Sequence, residues 1–389
     1  MTTATFSMQR VDPYNPPAEH LRLQQEDSIA QVPWANTGTI WAITKHADVR
    51  AVLGDARFSS DRTLPGHPMN SGYATGSDLK QLIAMDPPEH TQHRLRVMGE
   101  FTVKKIAALR PRIEEIVEET IDAMLASGHE ADLVEALSLP VPSMVIADLL
   151  GVPYEDHGFF QENSATFVDI DTPMEGRVAA MGALKAYVGE LVASRVTSPD
   201  DDILSRQLAA GADPVELTGL GFLLLIAGHE TTANMISLCV ATLLDRPELL
   251  GQLRDDPSLM PGAVEELLRY FTIAEVGHQR LATADIEIDG TLIRAGEAVY
   301  AFANVANRDP EVFPEPNTID FTRGARNHVA FGFGPHQCLG QNLARLELEI
   351  VLEAVVRRLP TLRLAVPFDE IPFKEHGPNY GVYKLPVAW

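Results

Sequence analysis

The chain has 389 residues, 45% hydrophobic and 22% charged, which is the composition of a folded globular protein with a sizeable core. A formal net charge of −23 argues against nucleic acid as a partner, because phosphate binding needs a basic surface. Only two cysteines, Cys239 and Cys338, far apart in sequence, exclude a disulfide framework or a paired-cysteine zinc site and suit a reducing compartment.

The N-terminus lacks a basic stretch followed by an apolar one, so neither signal peptide nor membrane anchor is expected. A soluble, cytoplasmic protein is the expectation. The first 20 residues carry Pro13, Pro16 and Pro17 and read as an irregular lead-in. Residues 39–44 then read as a strand and 46–53 as a helix. Residues 59–80 are rich in Ser, Gly, Asp, Asn and Pro, the signature of a long loop of the functional kind. Across 94–112, Arg94, Arg96, Lys104, Lys105, Arg110 and Arg112 face Glu100 alone, so six bases minus one acid gives +5. Such a patch is either a docking face for an acidic partner or a solvated helix face.

From about 89 to 210 the pattern is helical, with breaks expected at Pro111, Pro140, Pro142, Pro153 and Pro199. Asp213-Pro214-Val215-Glu216 is a helix start, with Asp as N-cap, Pro first and Glu third. That helix runs to about Asp245, where Arg246-Pro247 stops it. Its apolar run 220–228 is too short to span a bilayer. Further elements are a helix over 261–270, short strands at 286–288 and 292–293, and a helix from the Cys338 loop to about Arg358. With no repeat and no linker, the reading is one domain over residues 1–389, mostly α with small β-sheets (α+β).

Three local patterns carry chemistry. Phe331-Gly332-Phe333-Gly334-Pro335-His336-Gln337-Cys338-Leu339-Gly340 places a thiol in a glycine-flanked loop at a helix N-terminus, where free N–H groups favour thiolate. It reads as an axial haem ligand, a cysteine nucleophile or a small apolar filler. Ala227-Gly228-His229-Glu230-Thr231-Thr232 interrupts the apolar helix with an acid and an alcohol. Thr231 can bond back to the Ala227 carbonyl and open the helix locally. The alternative for this cluster is a plain helix–helix hydrogen bond. Glu266 and Arg269 share a helix face at i and i+3, a pair that means little alone.

Together these patterns resemble the cytochrome P450 monooxygenases, above all soluble bacterial ones from actinomycete secondary metabolism. Phe331, Gly334, Cys338 and Gly340 fill the haem-binding signature, and Ala227, Gly228, Glu230 and Thr231 fill the oxygen-activation motif. The resemblance implies a P450 fold, with heme b buried between the long central helix and the cysteine-loop helix. Cys338 would ligate the iron, and Phe331 and Gly332 would lie against the cofactor. His90, Arg94, Arg280 and His336 would bind its propionates. Thr231 would hydrogen-bond dioxygen and Glu230 would relay protons. Glu266 and Arg269 would form a buried pair. Its usual third partner is an arginine where this chain has Thr318, which leaves open what completes the network.

The pocket would include Ile226, Ala227 and Val276, with segments 59–85 and 160–185 as its lid. Glu162, Asp169, Asp171 and Glu175 are either solvent-facing acids or contacts for a cationic group. A monomeric enzyme is implied, hydroxylating or epoxidising a lipophilic molecule with O2. Its electrons would come from NAD(P)H through ferredoxin reductase and ferredoxin, docked at the +5 segment. The alternatives are a non-catalytic haem-thiolate sensor, which would not need Glu230 and Thr231, and a cysteine-nucleophile hydrolase.

Overall fold

The computed structural model describes residues 6–34, 37–69, 82–168, 172–274, 277–375 and 379–389. Its largest sheet holds β1 (Ile29–Trp34), β2 (Gly38–Ile43), β3 (Phe58–Ser59), β4 (Gln279–Ala282) and β5 (Ala298–Ala301), in the order β1-β2-β5-β4-β3. β1 and β2 are an antiparallel hairpin with Ile29 opposite Ile43. β2 runs parallel to β5, which runs antiparallel to β4. Three-stranded and two-stranded sheets complete the β structure.

Helices dominate the remainder. Those that position the site are α1 (Glu89–Met98), α2 (Arg110–Ser127), α3 (Pro140–Leu150), α4 (Met174–Thr197), α5 (Pro214–Asp245), α6 (Met260–Phe271) and α7 (Gln341–Arg358). Pro111 and Pro140 mark helix breaks as expected: separate helical segments end at Ala108 and Ser138, just before them. Each sits in a first turn, where no intrahelical N–H is needed, and so begins α2 and α3.

α5 forms as its sequence dictates. The Asp213 carboxylate accepts from the N–H groups of Val215 and Glu216 at 2.9 and 3.1 Å. The 32 residues that follow extend about 48 Å. Length and composition would let α5 cross a bilayer, yet 67% of its apolar window is buried inside the protein. From Thr232 to Leu243 every residue is buried, the pattern of a core helix. Gly228 is explained by packing: a Cβ there would lie 2.7 Å from Cδ1 of Ile146 on α3. α5, α6 and α7 pack on one another around a single large apolar cluster that also takes in α2, α3 and α4.

Candidate active site

A cavity of about 360 Å³ separates α5 from the Cys338 loop. The α5 wall is Leu220, Leu223, Leu224, Ala227, Gly228, Thr231, Thr232 and Met235. These fall at i, i+3, i+4, i+7, i+8, i+11, i+12 and i+15, one continuous stripe of an α-helix. Ala227 and Thr231 lie on it. Ile226 does not: it packs against the main core. Glu230 is also off the stripe, and its carboxylate meets Lys374 Nζ at 3.3 Å. Lys374 in turn donates to Asn234 Oδ1 at 2.9 Å. The Thr231 hydroxyl donates to the Ala227 carbonyl at 2.7 Å, the back-bond expected from its position. His229, between them in sequence, is buried and neutral, its pKa pushed down to about 4 by desolvation. Val276 lies outside the described residues.

The opposite wall is the cysteine loop. Gly332 and Gly334 have φ of +70° and +71°, where residues with a Cβ are strained. At Gly334 a Cβ would also lie 2.5 Å from the Leu53 carbonyl oxygen. The Cys338 N–H donates to the Phe331 carbonyl at 2.8 Å and closes the loop. Cys338 is exposed to the cavity yet enclosed by protein. Burial raises the pKa of its thiol, and the Gly340 N–H and the charges of Arg94 and Arg345 oppose this without overcoming it. The helix start alone therefore does not produce a thiolate. Coordination to a cation would.

Two neighbouring carboxylates on α6 support this wall. Glu266 accepts two bonds from Arg269, both at 2.8 Å, one from Arg323 Nε at 3.0 Å and one from the Asp320 N–H at 3.0 Å. Arg323 thus completes the network, while Thr318 contributes only its carbonyl, which Arg323 reaches at 2.9 Å. Glu265 ties together both sides of the loop. On one side it accepts from Arg345 of α7 at 2.7 Å, whose guanidinium lies 4.5 Å over the Phe331 ring. On the other it bonds His328 at 3.1 Å. His328 Nδ1 accepts from the Ala330 N–H at 3.1 Å, which fixes the proton on Nε2, facing Glu265. These two cationic and hydrogen-bonding partners outweigh burial and hold Glu265 down at about 2.

The remaining wall is rich in donors. Arg94 and Arg280 are anchored to loop carbonyls, and the rings of His90 and His336 lie 4.0 Å apart. Both ring nitrogens of His90 and Nδ1 of His278 are buried without a partner among the described residues. Two propionates for these donors and a metal ion for the Cys338 sulfur are what such a set lacks, so the residues fit haem.

The relatives agree. A vitamin D3 dihydroxylase of Streptomyces griseolus is 47% identical over 392 residues, 99% of this chain and 96% of its own. A pentalenic acid synthase of Streptomyces avermitilis is 48% identical over 392 residues, 99% and 97% of the two chains. The family model for cytochrome P450 matches residues 211–386. The crystal structure of cytochrome P450 MoxA from Nonomuraea recticatena superposes with a TM-score of 0.94, at 49% identity, covering 99% of this chain and 98% of that one. The chain belongs to the cytochrome P450 family. It is a haem monooxygenase, and the mostly α fold with small sheets is the P450 fold.

Several residues of this P450 site were not singled out from sequence. Arg62 and His278 reach the cavity from segments without a readable pattern. Glu347 lines it too, buried, with Oε2 unpartnered among the described residues and its pKa pushed up to about 8 by desolvation. It did leave a signal, being an acid on the apolar face of α7 beside Leu343, Ile350 and Val351. Four of the six bases of the +5 segment have acidic partners: Arg96 meets Glu216, Arg110 meets Glu349 and Arg112 meets Asp148 from other helices, while Lys105 meets Glu100 of the segment itself. Lys104 has no ion pair among the described residues and is exposed.

Proposed function

We propose that this P450 inserts one oxygen atom of O2 into a lipophilic small molecule, by hydroxylation or epoxidation. Its electrons come from NAD(P)H through ferredoxin reductase and ferredoxin. It acts as a cytoplasmic monomer, with all 389 residues in one catalytic domain. The observation that carries the reading is that the Cys338 thiol and the Thr231 hydroxyl line one cavity from opposite walls.

Haem held through a thiolate supplies the cleavage of the O–O bond when bound. Cys338 supplies the sulfur, and His90, Arg94, Arg280 and His336 cradle the two propionates. Phe331 and Gly332 line the cavity beside the thiol. Gly332 in addition leaves room beside His278, whose Nε2 would lie 3.3 Å from a Cβ there. The leucines of the α5 stripe keep water from the reacting carbon, and Ala227 leaves room beside it. Thr231 holds a proton on Oγ1, parked on the Ala227 carbonyl, and can turn it into the cavity. Glu230, off the stripe and beside Lys374, passes protons toward Thr231 from outside the cavity. Exposed Leu95, Met98 and Val103 near Lys104 support docking of an acidic ferredoxin on this face. The leucine-rich wall supports a lipophilic substrate.

The reduced protein with CO is expected to show a strongly red-shifted Soret band. With a ferredoxin system, Thr231→Ala is expected to cut product per electron about tenfold and to release peroxide instead. Absence of the red-shifted band ends the reading. A normal band with no turnover of any lipophile returns the protein to the sensor alternative.

A further inference from the structure

Three guanidinium groups line the cavity. Arg94 donates to the Gln337 carbonyl at 2.5 Å, and Arg280 to the carbonyls of Gly277 and Gln279 at 3.0 and 2.8 Å. Arg62 has no hydrogen bond or ion pair among the described residues. It is largely enclosed by protein and lies within electrostatic reach of Arg280 and His67. Two described carboxylates of this region, Asp61 and Asp86, are engaged elsewhere. Asp61 accepts from the Thr63 N–H and hydroxyl at 2.8 and 2.6 Å. Asp86 accepts from the Ser59 hydroxyl, and from the Ser60 N–H at 2.8 Å.

The charge balance of the cavity is therefore informative. Its described wall holds one acid, Glu347, which desolvation keeps protonated at neutral pH. Besides the guanidinium groups, the other described titratable side chains of the wall are the histidines His90, His278 and His336 and the thiol of Cys338. Three guanidinium groups give +3, and haem brings two propionates. The charge of the ferric porphyrin is offset by the Cys338 thiolate. Among the described residues one positive charge is left over, and it belongs to Arg62, the guanidinium that none of them holds. A partly desolvated guanidinium with no counter-charge is costly, and a bound anion would offset that cost.

We propose that Arg62 binds a carboxylate of the substrate, so that the substrate class is lipophilic monocarboxylic acids, held by the acid end and oxidised along the apolar part. The inference rests on the haem-cavity reading above. It runs against a cationic sugar-bearing substrate. Glu162 and Glu175 face solvent, and Asp169 and Asp171 lie outside the described residues. The other carboxylates that Arg62 could take are the haem propionates, which the donor set of His90, Arg94, Arg280 and His336 already serves.

The test is a spectral titration of the ferric holoenzyme near pH 7.5 with dodecanoate, methyl dodecanoate and 1-dodecanol, following the spin-state shift of the Soret band. Dodecanoate is expected to bind about tenfold more tightly than the two neutral probes, the margin of a charge-assisted hydrogen bond. Arg62→Gln should erase that preference while keeping haem content, the CO band and affinity for the neutral probes. Arg62→Lys should keep part of it. Equal affinity of the wild-type protein for all three probes overturns the proposal without need of a variant. Loss of haem from Arg62→Gln also overturns it and assigns Arg62 to a propionate. A wild-type protein without the red-shifted CO band fails at the earlier step, the haem-thiolate reading itself.

Discussion

The two walls of the cavity are held by different means. Behind the cysteine loop, Glu265 and Glu266 each gather several donors, and the loop is clamped from α6 and α7 together. Along α5 the wall is apolar apart from Thr231 and Thr232, and the Thr231 hydroxyl is bonded within its own helix. Beside this wall Glu230 points away from the cavity, and elsewhere on the cavity lining Arg62 has no partner among the described residues. A wall with satisfied polar groups fixes the chemistry. A wall with open ones decides what is bound. Substitutions behind the cysteine should thus act on stability and haem, and those on the α5 side on coupling and affinity.

The largest effect is expected at Cys338. Cys338→Ala should abolish the red-shifted CO band and all turnover, measured by difference spectroscopy and product assay. Next is Arg269→Ala, which leaves Glu266 fully buried with Arg323 as its one cationic partner. A loss of about 3–5 kcal/mol is expected in denaturant unfolding, because the change breaks a buried ion pair and takes two of the carboxylate's four hydrogen bonds. Arg323→Ala should cost less, since Arg269 still makes both its bonds to the carboxylate. If Arg269→Ala left stability intact and altered only coupling, the distinction between the walls would fail.

Glu347 adds a pH test of the same distinction. Its ordinary pKa of 4.5 is raised to about 8 by burial. Between those values the unfolded chain has released this proton and the folded one has not. Stability should therefore fall as pH rises from about 5 to about 8 and level off above, by on the order of a few kcal/mol. Unfolding measured across that window should show the slope in the wild type and a flatter curve in Glu347→Gln. An unchanged slope would mean that Glu347 is ionised in the folded protein.

Much of this site was legible in the sequence because it is local. The Asp213 cap, the α5 span and the glycine-flanked loop follow from residues a few positions apart, and the structure keeps all three. The Thr231 back-bond is local as well. What was not legible depends on elements meeting across the fold. Arg323 replaces an arginine expected at Thr318 because a loop brings its side chain back onto α6. Glu265 and Glu266 are adjacent in sequence, yet only packing sends one to Arg345 and His328 and the other to Arg269. How far the +5 segment is paired was not legible for the same reason, since Glu216, Asp148 and Glu349 come from other helices. Ile226 was different: the 3.6-residue period that puts Ala227 and Thr231 on one face already puts it on another.

The smallest expected effect is at Lys374, and it probes the boundary between the two walls. Among the described residues Lys374 is the one cation that binds the acid of the α5 motif, and its side chain and that of Glu230 are only 13% and 20% exposed. Removing it leaves Glu230 short of a donor and Asn234 Oδ1 without its 2.9 Å bond. Lys374→Met should therefore cost about 1 kcal/mol, as a partly buried ion pair with one further hydrogen bond would. Haem content and the CO band should not change, because neither Glu230 nor Lys374 lines the cavity. Coupling should change two- to threefold, because Glu230 is then free to move along α5 toward Thr231 or out to water, and the direction reports which. Loss of haem from this variant would show that the α5 side, too, carries structural polar bonds, and the contrast between the walls would have to be redrawn around Asn234 and Gly381, whose added Cβ would lie 2.2 Å from the Asn234 oxygen.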